Sequence, residues 1–269
     1  MRASLSRWIR WQVVSRTLPY PIVTPFANGT SLIVEPGMTG ATGNVYVGLH
    51  EFADMALLLH FLRPDDLFVD IGANVGSYTV LASGAIGART VSFEPVPATF
   101  KRLERNIRYN QLDTKVEAHC MAVGAAPGEI VFTADTDTTN QVAPPNYRGA
   151  TIRVPVSSAD DLLRSHLNHT AQIWKVDVEG YETEVLRGAE QSLANPLLKV
   201  VLLEGGSAEI VSTMQRHGFQ RASYEAFTRT LQLAESLVSS GNFLWVRDAE
   251  FVSERLCAAP TFQVFEHVI

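Results

Sequence analysis

Leu67-Phe68-Val69-Asp70-Ile71-Gly72-Ala73-Asn74-Val75-Gly76-Ser77-Tyr78-Thr79 is the stretch from which the fold can be read. Leu67, Phe68, Val69 and Ile71, interrupted only by Asp70, predict a short buried strand. Gly72 and Gly76 then impose a tight turn, since glycine reaches the left-handed backbone conformations that such turns use. Ser77 opens a helix on which Tyr78, Leu81, Ala82 and Ala85 recur at helical spacing. Strand, glycine turn and helix in this order present backbone amides to a nucleotide-like ligand at the carboxyl end of the first strand of an open α/β sheet. The turn reads Gly-x-x-x-Gly, with Asn74 where a dinucleotide-binding turn carries the glycine that admits a pyrophosphate. A ligand without phosphates is expected, and a nicotinamide-dependent oxidoreductase of similar fold is disfavoured.

About twenty residues on, Arg89-Thr90-Val91-Ser92-Phe93-Glu94-Pro95 predicts a second strand ending in an acid. A ribose-binding carboxylate occupies that place in such folds, so the pair of motifs points to a nucleoside. Taken singly, each signal also fits a plain turn glycine or a solvated strand-end Glu.

The bulk composition narrows the classes. At 269 residues, 46% hydrophobic and 19% charged, the chain can build one large α/β domain with decorations. A net charge of −6 disfavours nucleic acid as a bulk partner. Cys120 and Cys257 offer neither a disulfide framework nor metal-ligand spacing, and Cys120, in an apolar run, reads as a core residue. The longest apolar stretches, such as Met55 to Leu62, are too short to span a membrane. A cytoplasmic setting is expected.

Residues 1–20 set Arg2, Arg7, Arg10 and Arg16 among Trp8, Ile9, Trp11, Val13, Val14 and Leu18, a basic amphipathic segment without a signal-peptide cleavage site. It suits docking on its own domain or on a second subunit, which would make a homo-oligomer, more than a membrane surface. Residues 1–50 are expected to form this segment plus a hairpin-like extension, 51–248 the main domain and 249–269 a tail. Ser31 to Glu35 and Asn44 to Val47 read as strands, with a flexible connection at Pro36, Gly37, Gly40 and Gly43. Glu51 to Leu62 predicts a buried helix stopped by Arg63-Pro64, and Phe100, Leu103 and Ile107 mark another. Lys115 to Gly124 predicts a third strand, Glu129 to Thr133 a shorter one, and Val154-Pro155-Val156 an edge strand before a capped helix with Asp160 or Asp161 near its start. The turn-rich residues 134–150 read as a long loop suited to shaping an acceptor pocket.

Gln172-Ile173-Trp174-Lys175-Val176-Asp177-Val178-Glu179-Gly180 predicts a fourth strand ending in acids, with Lys175, Asp177 and Glu179 on one side by strand alternation. Two acids at the end of a buried strand are costly unless they serve a purpose. A helix bearing Tyr181, Val185, Ala189 and Leu193 on one face follows, ended by Asn195-Pro196. Leu198 to Glu204 predicts a fifth buried strand, again closed by an acid, and Asn242 to Val246 the last clear one.

These motifs resemble the FkbM-type methyltransferases: Val69 to Thr79, Phe93-Glu94-Pro95, Lys175 to Glu182, and Val185-Leu186-Arg187-Gly188-Ala189. The resemblance covers about residues 45–205. It implies a class I methyltransferase fold, Rossmann-like, with a seven-stranded mostly parallel sheet, helices on both faces and an antiparallel last strand. It implies S-adenosyl-L-methionine as cofactor, held by Asp70, Gly72, Asn74, Gly76 and Ser77, with Glu94 on the ribose and Glu51, Pro95, Met121, Ala122 and Asp177 completing the pocket. The usual acid for the adenine amine has no counterpart in His119-Cys120-Met121-Ala122, so adenine recognition would rest on backbone groups and apolar packing. Methyl transfer to a hydroxyl requires alignment and removal of the proton. Asp177 and Glu179 are the expected catalytic acids. Alternatively, Asp177 and Glu204 could hold a divalent cation that lowers the acceptor's pKa. The expected acceptor is a small molecule, sugar or natural-product intermediate, with nitrogen acceptors and a non-catalytic cofactor-binding protein as alternatives.

Overall fold

The computed structural model describes residues 2–17, 20–35, 38–133, 141–144, 146–166, 171–234, 242–265 and 267–269. The chain opens with helix α1 (Arg2–Thr17), a hairpin of β1 (Ile22–Pro25) and β2 (Ser31–Val34), and helices α2 (Thr39–Val47) and α3 (Phe52–Phe61). Then come β3 (Leu67–Ile71), the short helix α4 (Ser77–Val80), which widens into a π-helical turn over Leu81–Ile86, β4 (Arg89–Phe93), α5 (Pro97–Tyr109) and β5 (Val116–His119). A side excursion follows, made of β6 (Ala122–Gly124), β7 (Gly128–Thr133), β8 (Thr151–Ser158) and α6 (Ala159–Leu162). The chain returns through β9 (Ala171–Val176), α7 (Glu182–Arg187), α8 (Glu190–Ala194), β10 (Val200–Glu204) and α9 (Ala208–Arg216). It closes with β11 (Gln220–Glu225), β12 (Thr230–Leu233), β13 (Asn242–Val246), α10 (Ala249–Cys257) and a small hairpin of β14 (Gln263–Val264) and β15 (His267–Val268).

The main sheet has the order β12-β11-β13-β10-β9-β3-β4-β5. Strands β3, β4, β5, β9 and β10 run parallel, and β13 is antiparallel to both β10 and β11. This is the expected mostly parallel α/β sheet with one strand more, because β12 folds back on β11 and adds an eighth at the edge. The chain builds outward from β3 to β5 and then crosses to β9 and β10, so the strand order reverses between β3 and β9. Ligands of open α/β sheets bind in the crevice above such a reversal.

Alternation along the strands sorts the core. Phe68, Ile173, Val200 and Leu202 pack on one face with α3, the α4 turn, the β1–β2 hairpin and the terminal Phe262 and Ile269. Val69, Ile71, Trp174, Val201 and Leu203 pack on the other with Val185, Leu193, Ile210 and Met214. After residue 248, Val252, Leu256 and Val264 join the first of these cores.

Several expectations need correction. Residues 44–47 lie on α2 rather than on a strand, and the segment ahead of them is helical from Thr39. Asn44 is buried, donating to Ser77 Oγ (3.1 Å) and accepting the His50 backbone N–H (2.9 Å), so tertiary contacts override the β-propensity of Val45-Tyr46-Val47. Residues 115–124 divide between two sheets, with β5 in the main one and β6 in a three-stranded one. In that smaller sheet β8 lies between β6 and β7 and pairs with both at Val156. Pro155 pairs with Glu129 of β7 and has no β6 partner, so β8 is open on that side there, where a proline is tolerated. The helix after Gly180 breaks into α7 and α8 at Gly188, where an added Cβ would lie 2.0 Å from the Gly124 carbonyl oxygen. Cys120 is only half-buried. Residues 134–140 and 145 of the expected acceptor loop lie outside the described residues.

Candidate active site

A cleft opens above the strand reversal, and the glycine turn forms one of its walls. Gly72 and Ala73 donate their backbone N–H groups to the Phe93 carbonyl (3.0 and 2.9 Å), which ties the turn to the end of β4. Gly72 has φ +83°, and a Cβ there would sit 1.8 Å from the Asp177 carbonyl oxygen, so only glycine lets β3 and β9 close this tightly. Gly76 (φ +91°) is set back from the cleft, where a Cβ would meet Leu103 at 2.5 Å; it shapes the turn without lining the cleft.

The acids of this wall are held from beneath. Asp70 is fully buried and accepts from Thr79 Oγ1 (2.7 Å); burial pushes its pKa up to about 6. Glu94, also buried, accepts the Asn74 N–H on Oε2 (3.0 Å) and the Val96 N–H on Oε1 (2.9 Å). Burial outweighs those donors and raises Glu94 to about 7. Asn74 holds a left-handed conformation (φ 52°) with Oδ1 buried and, among the described residues, unpartnered. An unsatisfied buried acceptor lining a cleft is what a ligand hydroxyl or ammonium would satisfy.

The opposite wall carries charge. Strand β9 ends at Val176, so alternation does not carry Glu179 to its place. The chain turns there instead through left-handed Glu179 (φ 51°) and Gly180 (φ 91°). Oxygens of Asp177, Glu179 and Glu204 nevertheless lie within 4.8 Å of one another. Lys175, almost fully buried, reaches Asp177 Oδ2 at 2.5 Å and Glu51 Oε2 at 4.0 Å, with its ammonium 4.7 Å from the Tyr78 ring centre. Burial pushes Asp177 up, but the adjacent Lys175 overrides this and holds it below the usual carboxylate range. Glu204 goes the other way, raised to about 7 by burial and then by the Asp177 charge; Glu179 is raised by the same two causes. Charges of one sign thus sit around one fixed ion pair, an arrangement able to accept a proton or to coordinate a divalent cation.

Glu51, Asp70, Gly72, Asn74, Ser77, Glu94, Pro95, Met121, Ala122, Asp177 and Glu179 all face this cleft. Glu204 joins the acid cluster without lining the cleft. Sequence reasoning missed His50, Thr99, Phe132 and Tyr181, which complete the walls, and the bracket made by Asn242. The Asn242 amide donates to Glu51 Oε1 and Asp54 Oδ2, both at 3.0 Å, and joins β13 to the start of α3 across most of the chain; burial leaves Asp54 at about 6. No local pattern announces such a contact. The sandwich of Gly124 between Val156 and Tyr181 could have been suspected only from the small residue itself.

The family model for the methyltransferase FkbM domain matches residues 70–221, more than half of the chain. Hexuronic acid methyltransferase AglP of Haloferax volcanii is 29% identical over 150 residues, 56% of this chain and 61% of AglP, so the match spans less than two thirds of that protein. The 31-O-demethyl-FK506 methyltransferase FkbM of Streptomyces tacrolimicus is 24% identical over 204 residues, 62% of this chain and 78% of that one. A crystal structure of methyltransferase FkbM from Methylobacillus flagellatus aligns with 90% of this chain and 59% of its own, at TM-score 0.48 and 14% identity.

Proposed function

The chain belongs to the FkbM family of methyltransferases, and from that premise we propose that it transfers a methyl group from S-adenosyl-L-methionine to a hydroxyl of a small molecule or sugar. The observation that carries this reading is the meeting, in one cleft, of the Gly72 turn, Glu94 and the Asp177–Glu179 acids. The cleft's donor set suits the cofactor: Asn74 Oδ1 lacks a partner among the described residues, Glu94 stands at the end of β4, and no phosphate-binding glycine is needed. Asp70, Asn74 and Ser77 would hold the methionine and ribose portions with Glu51, Glu94 would accept from the ribose hydroxyls, and Pro95, Met121 and Ala122 would enclose the adenine. The bound cofactor supplies a methyl group activated on a sulfonium.

The protein's own part is alignment and proton removal. Lys175 holds Asp177 ionised and fixed; Glu179, raised above its ordinary range, is the better proton acceptor at neutral pH and takes the acceptor hydroxyl's proton on a carboxylate oxygen. The names of the relatives, one a hexuronic acid methyltransferase and one a 31-O-demethyl-FK506 methyltransferase, support a hydroxyl on a sugar or natural product as acceptor. The experiment is calorimetry with S-adenosylmethionine, its demethylated product and NAD, followed by a methyl-release assay across hydroxylated and amine acceptors. Binding of the first two without NAD is expected, with release on hydroxyl acceptors. Tight NAD binding would sink the assignment, and release on amines alone would move it to nitrogen.

A further inference from the structure

The first 34 residues contain Arg2, Arg7, Arg10 and Arg16 and no acidic residue, whereas the rest holds 18 of the 22 basic residues against all 28 acidic ones. Helix α1 is anchored on one side. Trp11 is buried in the main core, Arg7 Nε donates to the Tyr46 carbonyl (3.0 Å), and the Arg7 guanidinium lies 4.2 Å over the Phe265 ring. Away from that anchor, Trp8 is 46%, Ile9 49% and Val13 56% exposed. Ile9, Val13 and Arg16 fall in one row at helical spacing, and Arg16 is exposed at its end, folding back onto Gln12. Val47, next to the carbonyl that Arg7 holds, is exposed as well.

We propose that this face of α1 docks reversibly on an anionic lipid surface. An apolar row with an interfacial tryptophan, carried on a cationic helix, partitions into the headgroup region while arginine reaches lipid phosphates. The charge distribution selects the occupant. A second copy would bring two cationic helices together, whereas an anionic bilayer attracts α1 and repels the acidic remainder, which orients the protein helix-down. Because α2, on which α1 rests, is bound through Asn44 to Ser77 of the glycine turn, docking would also fix the orientation of the cleft relative to the surface.

The test is co-sedimentation of the full chain with phosphatidylcholine vesicles, with and without about one third phosphatidylglycerol, at low and high salt. Binding to the anionic vesicles alone, weakened by salt, is expected. The combined Trp8→Ser, Ile9→Ser and Val13→Ser variant should bind at least roughly tenfold more weakly. Its melting profile should be unchanged, since these side chains lie outside the core. No binding of the parent to anionic vesicles, or equal binding by the variant, overturns the proposal. So does sedimentation velocity that finds a parent dimer dissociated by the same substitutions, which would assign the face to a second copy.

Discussion

At the carboxyl ends of β3 and β4, Glu94 is met by two backbone N–H groups and Asp70 by the Thr79 hydroxyl, so each acid is held by neutral donors. At the ends of β9 and β10, oxygens of three carboxylates lie within 4.8 Å of one another, and one of the three, Asp177, is paired with the buried Lys175 ammonium. The first wall is set by backbone geometry, in which Gly72 and Asn74 fix where amides point. The second is set by burial and mutual charge: Asp177 stays ionised because Lys175 is there, and Glu204 and Glu179 are raised first by burial and then by the Asp177 charge. A preorganised dipolar wall suits holding one fixed ligand, whereas a charge-coupled wall suits passing a proton.

The largest effect should come from the second wall. Asp177→Asn and Glu179→Gln keep shape while removing charge, and turnover should fall roughly a hundredfold to ten-thousandfold, the range of a lost general base. Cofactor affinity, measured by calorimetry on the same preparations, should stay within a few fold. Parent-like single-turnover rates in both variants would make these acids structural and erase the contrast. The same assay after exhaustive chelation sharpens it: with Lys175 already neutralising Asp177, turnover should persist, and a loss restored by magnesium would instead place a cation among Asp177, Glu179 and Glu204.

The first wall should respond in affinity. Glu94→Ala removes a charge-assisted hydrogen bond to the cofactor, worth about 1.5–3 kcal/mol, and should weaken binding by roughly ten- to a hundredfold. The chemical step in the saturated enzyme should change little. An unchanged dissociation constant would remove Glu94 from the ribose site.

The first wall was legible in sequence because its parts are local. The turn and the acid after β4 stand about twenty residues apart, and Gly72, Asn74 and Glu94 are tied by bonds between neighbouring strands. The second was legible in its residues but not in its geometry. Strand alternation places Lys175 and Asp177 correctly in kind, yet Glu179 arrives through a left-handed turn, and the wall also takes in Glu51 beside Lys175 and Glu204 beside Asp177 from distant elements. α2 is hidden in sequence because Val45-Tyr46-Val47 carries strand propensity while Asn44, bonded through its side chain to Ser77 and to the His50 backbone, gives no local sign of its partners. The Asn242 bracket and the side sheet likewise rest on long-range pairing.

The smallest effect is one of pH on the ligand-free protein. Glu94 titrates near 7 when folded against an ordinary value near 4.5, so between those limits the folded state keeps a proton that the unfolded chain has released. Stability must then fall as pH rises through this window, with the benefit fully present below about 4.5 and lost above about 7. Asp70 and Asp54, each raised to about 6, add to the same slope, whereas Asp177, held low by Lys175, acts only at more acid pH. Thermal melts or urea titrations from pH 5 to 8 should therefore show the ligand-free parent losing stability as pH rises. Glu94→Gln, neutral throughout, should lose less, by roughly 1–2 kcal/mol across the window. Parallel stability curves for parent and variant would mean that the Asn74 and Val96 amides compensate the buried charge in full. Glu94 would then be an ordinary ionised carboxylate held by those dipoles, and the pH slope would rest on Asp70 and Asp54.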